Sequence, residues 1–339
     1  MLYNYLKGTG IRLSAVTLGS STFGDQLNEE ESWRIMEHAV EAGINSIDTG
    51  DVYCGGRSEE IIGKFLKRPG MRRKVVLGTK MDLPTGTGVN DQGASRLHIM
   101  EALEASLKRL QTDYVDIYYI HHPDRNTPME ETLTAMNDLV RSGKVRYIGF
   151  SNYSAWEACD LLWTAKYSHM IPPVAAQNVY NLITRGLEDE LAYFVQKHQM
   201  GLVVYNPLAG GLLTGKHKRG HLAAGTRFDS AMYRERYCSD ANFDAVEALE
   251  KIACEAGMTL LELAVRFSVS RGYVDSVLMG FSRNSQLEEN LRLVEKGALE
   301  ADVLQACDRV WKKLKGDTYG YFIPQKGAKG VRYTGSLKG

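Results

Sequence analysis

The chain has 339 residues, and its 41 lysines and arginines balance 41 aspartates and glutamates, so the formal net charge is zero. This balance argues against nucleic acid or an anionic membrane surface as the main partner. No apolar run is long enough to span a membrane, and the first residues lack the pattern of a signal peptide, so we expect no membrane association. The length suits either two domains or one large α/β barrel.

The five cysteines, at positions 54, 159, 238, 254 and 307, are scattered along the chain and form no CxxC pair. Proteins of oxidising compartments generally carry paired cysteines that form a disulfide framework. The odd, dispersed set therefore predicts a reduced protein in the cytoplasm.

Short apolar runs alternate with amphipathic helical runs from one end of the chain to the other. Ahead of the first run, the segment YLKGTGIRLS has the glycine-rich centre of a β-hairpin. Eight runs rich in Val, Ile and Tyr then predict buried strands at 15–18, 45–48, 74–80, 114–121, 145–151, 174–178, 201–205 and 274–278. Helices are predicted between them, including 29–42, 95–110, 130–141, 187–198 and 283–295.

The strict alternation of strand and helix requires parallel strands, because each helix must carry the chain back to the same edge. Eight such units close most economically into a TIM (β/α)8 barrel. An open doubly wound sheet would normally show GxGxxG after its first strand, whereas this chain has LGSSTFGD there. We therefore predict one α/β barrel domain over residues 1–339, with its core at about 12–297, a plugging N-terminal hairpin, and a C-terminal extra helix and tail at 298–339.

Two segments fall outside this alternation of strand and helix. Residues 206–242 form a long stretch rich in Gly, Arg and Lys, and a loop of that size in a compact domain is usually functional. The basic ending YFIPQKGAKGVRYTGSLKG is predicted to be an extended tail, either disordered or a flap over the active site. The loops that would shape a substrate pocket do not identify the substrate.

Polar side chains stand at the carboxyl ends of six successive predicted strands. The interior of a barrel strand must be apolar, and all the carboxyl ends of the strands open onto one face. A single aspartate at such a place is more often a helix cap or a turn former, but six polar exits in succession indicate a functional face. These residues are Asp48, Lys80, His121 with His122, Ser151 with Asn152, Gln177 with Asn178, and Tyr205.

An aspartate, a lysine, a tyrosine and a histidine that converge on this face would form a proton-delivery device. A free tyrosine has a pKa of about 10, and a neighbouring ammonium favours the phenolate, so we expect Lys80 to lower the pKa of Tyr53. Asp48 would hold Lys80 charged and in position. Tyr53 could then act as a general acid toward a carbonyl oxygen, with His121 donating a hydrogen bond that orients it.

Two other patterns suggest different kinds of site. The run His121-His122-Pro123-Asp124 contains metal-ligating groups, but adjacent residues on a strand point to opposite sides, so we predict no metal site. The segment GGLLTGKH at 210–217 nearly matches a P-loop, yet His217 replaces the Ser or Thr that holds Mg²⁺. That glycine-rich turn with its lysine suits a pyrophosphate better than nucleotide hydrolysis.

Five segments together resemble the successive signatures of the aldo-keto reductases: INSIDTGDVYCGGRSEEIIGKFL, VVLGTKM, YVDIYYIHHPD, GKVRYIGFSN and VYNPLAGGLLTGK. The resemblance runs from about residue 3 to about residue 293 and is greatest to the branch with bacterial sugar-type reductases, aflatoxin aldehyde reductases and potassium-channel β subunits. It implies a TIM barrel that binds extended NADPH, and a catalytic tetrad of Asp48, Tyr53, Lys80 and His121. His121 is chosen over His122 because the family pattern is His-x-Pro-Asp.

The resemblance also implies contacts with the cofactor. Ser151, Asn152 and Gln177 would hold the nicotinamide carboxamide, while Tyr205 would stack on the nicotinamide ring. The other implied contacts are Asn206, Pro207, Leu208, Gly210, Lys216, Arg227, Gly280, Ser282, Gln286, Glu289 and Asn290.

The two ends of the implied cofactor site differ in how well they match the family. Near the nicotinamide ribose this chain has Gly19, Ser20 and Ser21, where the family more often has Gly-Thr-Trp. At the adenosine end, Arg283 begins a predicted helix and could receive a 2′-phosphate. This arginine favours NADPH and leaves NADH as a second option.

Three functions follow from this interpretation. The first is NADPH-dependent reduction of an aldehyde or ketone, with the proton supplied by Tyr53. The second is a regulatory subunit that holds the cofactor while docking to a partner, as channel β subunits do, although those subunits lack a histidine at the place of His121. The third is a non-redox barrel enzyme such as an isomerase, which NADPH binding would exclude. The oligomeric state is not readable from the sequence.

Overall fold

The computed structural model describes residues 1–316, in which eight parallel strands close into a barrel. The barrel strands are β3 (Val16–Gly19), β4 (Ser46–Asp48), β5 (Val76–Met81), β6 (Val115–Ile120), β7 (Val145–Ser151), β8 (Ala175–Val179), β9 (Gly201–Tyr205) and β10 (Ser276–Met279). Each pairs with the next along the chain, and β10 closes the ring by pairing with both β9 and β3. The predicted TIM barrel and its eight strands are confirmed.

The N-terminal hairpin is also confirmed, and it packs against the amino-terminal end of the barrel. Strands β1 (Tyr3–Tyr5) and β2 (Arg12–Ser14) pair antiparallel. Between them, the fully buried Leu6 reaches the first residue of β9, so that a Cβ on Gly201 would lie 2.2 Å from its Cδ1. Because glycine leaves this space free, the hairpin can plug the lower end of the barrel.

Helices surround the barrel strands and shield their outer faces from water. They are α1 (Glu29–Glu41), α2 (Arg57–Leu66), α3 (Met71–Lys74), α4 (Arg96–Leu110), α5 (Met129–Arg141), α6 (Ala155–Tyr167), α7 (Leu191–Lys197), α8 (Ala231–Tyr237), α9 (Asp240–Glu255), α10 (Leu260–Val269), α11 (Asn284–Glu295) and α12 (Ala301–Lys315). Helix α1 begins where it does because Asn28 and Glu31 form a reciprocal capping box. Helix α12 is the predicted extra C-terminal helix, whereas the predicted tail lies outside the described residues from 317 onward.

The structure departs from the predicted elements in two places. Residues 206–242 are not a plain loop, because they contain 3₁₀ turns at Ala209–Thr214 and Arg227–Asp229 and the whole of α8. These short pieces are fixed by burial of Phe228 and Tyr237 against the barrel. The helix predicted at 187–198 is interrupted, with a 3₁₀ turn at Gly186–Glu188 ahead of α7. Within the described part of the chain, no helix combines the length and the apolar character needed to cross a membrane.

Candidate active site

The four residues of the predicted tetrad meet at the carboxyl-terminal rim of the barrel. Asp48 ends β4, Lys80 lies near the end of β5, and His121 follows the last residue of β6. The ammonium of Lys80 is buried, where it donates to Asp48, to the carbonyl of Thr49 at 2.7 Å and to the hydroxyl of Tyr53 at 3.3 Å. The rings of Tyr53 and His121 meet edge to face, with their centroids 5.8 Å apart.

The turn after β4 places Tyr53 over the end of the strand. The amide of Asp51 donates to the carbonyl of Lys80 at 3.0 Å, which ties this turn to β5. The amide of Tyr53 donates to the carbonyl of Gly50 at 3.1 Å. A Cβ at Gly50 would lie 3.4 Å from the Tyr53 ring, so the glycine lets the ring lie flat against the turn. The sequence Asp-Thr-Gly-Asp-Val-Tyr at 48–53 therefore brings the hydroxyl of Tyr53 back to the end of β4, where Lys80 contacts both Tyr53 and Asp48.

The predicted lowering of the pKa of Tyr53 is wrong. Removal of the phenol from water raises its pKa, and the opposing attraction of the Lys80 ammonium does not outweigh that effect. Burial also disfavours the Lys80 ammonium, but the attraction of Asp48 and the hydrogen bonds to Asp48 and Tyr53 together outweigh that effect and raise the pKa of Lys80. Burial raises the pKa of Asp48 while Lys80 and Gln177 oppose the shift. Tyr53 is thus held as a protonated phenol beside a cation.

His121 is held neutral by its surroundings. Burial, with repulsion from Lys80 and His122, lowers the pKa of this histidine to about 2. A neutral imidazole has one nitrogen that donates and one that accepts a hydrogen bond. Its Nδ1 atom is buried and finds no hydrogen-bond partner among the described residues.

The residues predicted to hold the nicotinamide are hydrogen-bonded into the tetrad. Gln177 Nε2 donates to Asp48 at 2.9 Å, and Ser151 Oγ donates to the carbonyl of Gln177 at 2.8 Å. Asn152 Nδ2 donates to the carbonyl of His121 at 2.9 Å. The hydroxyl of Tyr205 donates to Asn152 Oδ1 at 2.7 Å. One continuous network therefore joins the ends of β4, β7, β8 and β9.

The predicted ribose corner is only partly available to a ligand. Gly19 ends β3, next to Asp48 in the register of the sheet. Ser20 is fully buried, and its hydroxyl donates to the carbonyl of Asp48 at 3.0 Å while accepting from Ser58 at 2.8 Å. Ser21 is exposed. The hydroxyl of Ser20 thus fastens β3 to β4, Gly19 is buried as well, and Ser21 is the exposed member of this trio.

The residues predicted for the phosphate end lie in the turn after Tyr205 and beside Gly280. Gly210 donates its amide to Asn206 Oδ1 at 2.7 Å, and its φ of 70° suits glycine. A Cβ on Gly280 would lie 3.7 Å from both Arg227 Nη2 and the carbonyl oxygen of Gly19, which places these three residues side by side. Pro207 is buried in the same turn, Leu208 is partly exposed, and Lys216 is exposed without an ion pair among the described residues.

The predicted adenosine set lies at the start of α11. Gln286 Oε1 accepts from the amide and hydroxyl of Ser282 at 2.9 and 3.1 Å, and Asn290 donates to the carbonyl of Gln286 at 2.7 Å. Arg283 precedes the first residue of the helix, is exposed, and makes no ion pair within residues 1–316. Glu289 is also exposed. A free guanidinium beside a helix N-terminus is suited to a phosphate.

Three acidic residues near the tetrad were missed by the interpretation of the sequence. Asp51 is 2% exposed, and neither of its carboxylate oxygens has a partner among the described residues. Glu59 is fully buried and accepts from Thr79 at 2.6 Å and from Arg109 at 2.7 Å. Asp82 is buried directly after β5. The available signal was position, because Asp51 and Asp82 follow the polar strand exits by two or three residues.

The fold and this rim define a TIM-barrel protein with a hydrogen-bonded cluster of titratable side chains at the carboxyl ends of its strands. The model of the aldo/keto reductase family matches residues 15–312, and the chain belongs to that family. It is 38% identical over 301 residues to a probable voltage-gated potassium channel subunit beta of Arabidopsis thaliana, covering 87% of this chain and 92% of that protein. It is 34% identical over 325 residues to human aldo-keto reductase family 7 member A3, and the match covers 91% of this chain and 97% of that protein. It is also 34% identical over 319 residues to a putative voltage-gated potassium channel subunit beta of Schizosaccharomyces pombe, covering 91% of this chain and 92% of that protein.

Proposed function

We propose that this protein reduces an aldehyde or ketone to an alcohol with NADPH, and that Tyr53 supplies the proton. The observation that carries the proposal is the contact chain from Asp48 through Lys80 to Tyr53, with the His121 ring against the phenol. All four groups lie at the rim where TIM barrels place their chemistry. Membership of the aldo/keto reductase family supports the same reaction class.

The protonation states fit the role of Tyr53 as a general acid. Its raised pKa keeps the phenol protonated at neutral pH, so a proton is present at the hydroxyl oxygen when a substrate arrives. The Lys80 ammonium, 3.3 Å from that oxygen, stabilises the phenolate that forms as the proton leaves. Asp48 in turn holds the ammonium in place. Tyr53 thus donates to the substrate oxygen, while Lys80 and Asp48 position it and balance its charge.

His121 is suited to orienting the carbonyl group. Because its pKa is about 2, the imidazole is neutral throughout the physiological pH range and can donate a hydrogen bond while carrying no net charge. Its ring lies against that of Tyr53, so both can face one carbonyl oxygen. A neutral donor of this kind polarises the carbonyl as negative charge develops on the oxygen.

The residues of the rim fit a nicotinamide cofactor, which when bound supplies the hydride. Ser151, Asn152 and Gln177 offer amide and hydroxyl groups around one network next to the tetrad. Tyr205 offers a ring at the end of β9, beside the tetrad. The guanidinium of Arg283, which makes no ion pair in the part of the chain that the structure describes, favours NADPH, with NADH as the second option. The five cysteines are free, which supports a cytoplasmic location.

A second function is favoured by the names of two relatives. Both channel subunit beta proteins match more than four fifths of this chain, so a cofactor-holding subunit that docks to a partner is the alternative. The presence of His121 beside an intact Asp-Lys-Tyr group argues for turnover. Binding of NADPH without consumption would distinguish the alternative from the first proposal.

The test is a panel of aldehydes and ketones, with NADPH consumption followed by its absorbance and cofactor binding followed by its fluorescence. We expect saturable binding together with steady consumption for at least one carbonyl class. Tight NADPH binding with no consumption across the panel would favour the docking subunit. Failure to bind any nicotinamide nucleotide would remove both functions.

A further inference from the structure

Asp82 occupies a backbone position that usually belongs to glycine. Its φ is 112°, a region that residues other than glycine seldom adopt. The residue is nevertheless 7% exposed, directly after β5 and two residues from Lys80. Its Oδ2 atom accepts from the amide of His122 at 2.5 Å. Its Oδ1 atom is buried and has no hydrogen-bond partner among the described residues.

Two histidine side chains lie around that free oxygen. His122 Nδ1 is 3.8 Å from Asp82 Oδ1. His121 is 8% exposed, and its Nδ1 atom is a second buried polar atom without a partner in the described chain. One nitrogen of each histidine and one oxygen of Asp82 all lie within 4.8 Å of one another.

The premise behind the prediction of no metal site does not apply here. It assumed that His121 and His122 lie on a strand and so point to opposite sides. Strand β6 ends at Ile120, and both histidines follow it in irregular backbone. Their rings lie side by side, with centroids 4.9 Å apart and planes 23° from parallel.

We propose that Asp82, His121 and His122 form a binding site for one divalent transition-metal ion of the Zn²⁺ type. Two imidazoles and one carboxylate are a common ligand set for this ion, whereas Mg²⁺ and Ca²⁺ prefer oxygen alone. Coordination would satisfy the two buried atoms that have no partner, Asp82 Oδ1 and His121 Nδ1. These three ligands would leave a fourth coordination position for water or another ligand.

A small movement of His122 completes the geometry. Metal–nitrogen bonds near 2.0–2.1 Å put neighbouring ligands of a tetrahedral ion about 3.3 Å apart, against 3.8 Å between His122 Nδ1 and Asp82 Oδ1. Nearly parallel rings cannot share an ion, so one of them must turn. The side chain of His122 is 46% exposed and is free to rotate, whereas the buried His121 and Asp82 are held.

The hydrogen bond from the His122 amide does not account for both carboxylate oxygens of Asp82. Oδ2 of Asp82 accepts the hydrogen bond from the His122 amide, but Oδ1 takes no part in that bond. A structural role in holding His122 therefore does not account for the burial of Oδ1.

The consequence for activity rests on the proposed function. A bound ion would add positive charge close to Lys80 and so disfavour the ammonium that stabilises the phenolate of Tyr53. We therefore expect Zn²⁺ to inhibit carbonyl reduction and a chelator to restore it. Replacement of His122 should raise the Zn²⁺ concentration for half inhibition at least about tenfold.

Metal binding is tested without turnover, by titrating metal-free full-length protein with Co²⁺ and following its visible absorption, then displacing it with Zn²⁺. We expect one Co²⁺ per chain, bound by nitrogen and oxygen, without the near-ultraviolet band of a thiolate ligand. Asp82→Asn and His122→Gln should each weaken binding at least about tenfold. The exposed His221→Gln and the thiol variant Cys54→Ser are the controls and should bind as the wild type does.

Unchanged affinity in both Asp82→Asn and His122→Gln, or no stoichiometric Co²⁺ binding, would overturn this site. His122 is half exposed, so its variant should fold even if a change at the buried Asp82 does not, and circular dichroism checks this. A Tyr53→Phe variant should bind Co²⁺ like the wild type. Reductase activity without metal binding would contradict only the proposed metal site. Metal binding without turnover would contradict only the proposed reductase function.

Discussion

Burial decides the direction of the pKa shift at three of the four tetrad residues. Desolvation is the largest single influence on the pKa of Tyr53, Lys80, Asp48 and His121 alike. It prevails at Tyr53, Asp48 and His121, whereas at Lys80 the attraction of Asp48 and the hydrogen bonds to Asp48 and Tyr53 together outweigh it. The sequence shows which ionisable side chains are present, but it does not show how strongly each is desolvated in the folded protein. This is why the shift expected for Tyr53 had the wrong sign.

Asp51 yields a prediction about stability and pH. Burial, with repulsion from Glu59, raises its pKa from 3.8 to about 8. The folded protein therefore keeps a proton on Asp51 between about pH 4 and pH 8 while the unfolded chain loses it. The stabilising contribution of this proton to the free energy of unfolding is fully present below about pH 4. It is lost as the pH rises toward 8, at up to about 1.4 kcal/mol per pH unit.

Urea unfolding of Asp51→Asn at pH 5 and pH 8 measures this contribution. The free energy of unfolding of the variant, relative to the wild type, should rise between these two pH values. The control is Asp113→Asn, at an exposed aspartate, which should show no such rise. Equal pH dependence of the Asp51→Asn variant and the wild type would mean that Asp51 is ionised in the folded protein.

The position of a residue relative to the strands decides whether the sequence alone identifies it as part of the site. Asp48, Lys80 and His121 interrupt or end apolar runs, so they stand out, and Tyr53 follows Asp48 by five residues. The resemblance to the family indicates the same four residues. Asp51 and Asp82 fall in turns, where an aspartate is expected for backbone reasons. Their burial, and the φ of 112° at Asp82, are set by contacts distant in sequence. Their position just after two polar strand exits is the one local signal that the sequence offers for them.

Close helix packing beneath the rim depends on one glycine. A Cβ on Gly63 of α2 would lie 2.3 Å from the carbonyl oxygen of Arg109 on α4. One turn earlier, the buried Glu59 accepts from Arg109 at 2.7 Å. The glycine thus allows α2 to approach α4 closely enough for this ion pair to form.

Gly63→Ala should lower the free energy of unfolding by about 1–3 kcal/mol, because the added methyl group must displace backbone atoms. Gly272→Ala is a matched control, since nothing lies within 4 Å of the position of its Cβ. Chemical unfolding of both variants compares them directly. If Gly63→Ala is as stable as Gly272→Ala, the helices do not need this close approach.

The elements themselves were largely predictable, because buried parallel strands give continuous apolar runs and the helices between them carry their own caps. Strand β7 and strand β9 have the predicted ends. The segment 206–242 was not predictable in the same way. Helix α8 has seven residues, too few to be stable alone, so it depends on the burial of Tyr237.

At the scale of the whole molecule, polar groups gather at one rim of the barrel and the hairpin fills the other. Leu6 and Leu13 of the hairpin region pack with Ile117, Tyr119 and Val203 in a cluster inside the barrel. The network from Asp48 to Tyr205 then spans four strand ends above that cluster. The packed interior gives the rim a rigid base.

The cofactor is expected to lie across this rim from Tyr53 to α11, with Arg283 at its far end. Arg283→Ala should weaken NADPH binding about tenfold or more, because a charged hydrogen bond is lost, and should leave NADH binding nearly unchanged. Arg292→Ala, an exposed arginine at the other end of α11, is the control. Fluorescence titration gives both dissociation constants, and an equal loss for the two nucleotides would contradict a 2′-phosphate contact.

The most direct measurement is the turnover of Tyr53→Phe on a carbonyl that the wild type reduces, made alongside its dissociation constant for NADPH. The variant removes one hydroxyl oxygen, and the exposed Tyr167→Phe removes the same atom elsewhere as a control. Loss of the general acid should reduce turnover by at least about 10²-fold with cofactor binding unchanged. Turnover within about tenfold of the wild type would show that the proton comes from another group, and the proposed role of the buried Asp48, Lys80 and Tyr53 chain would fail.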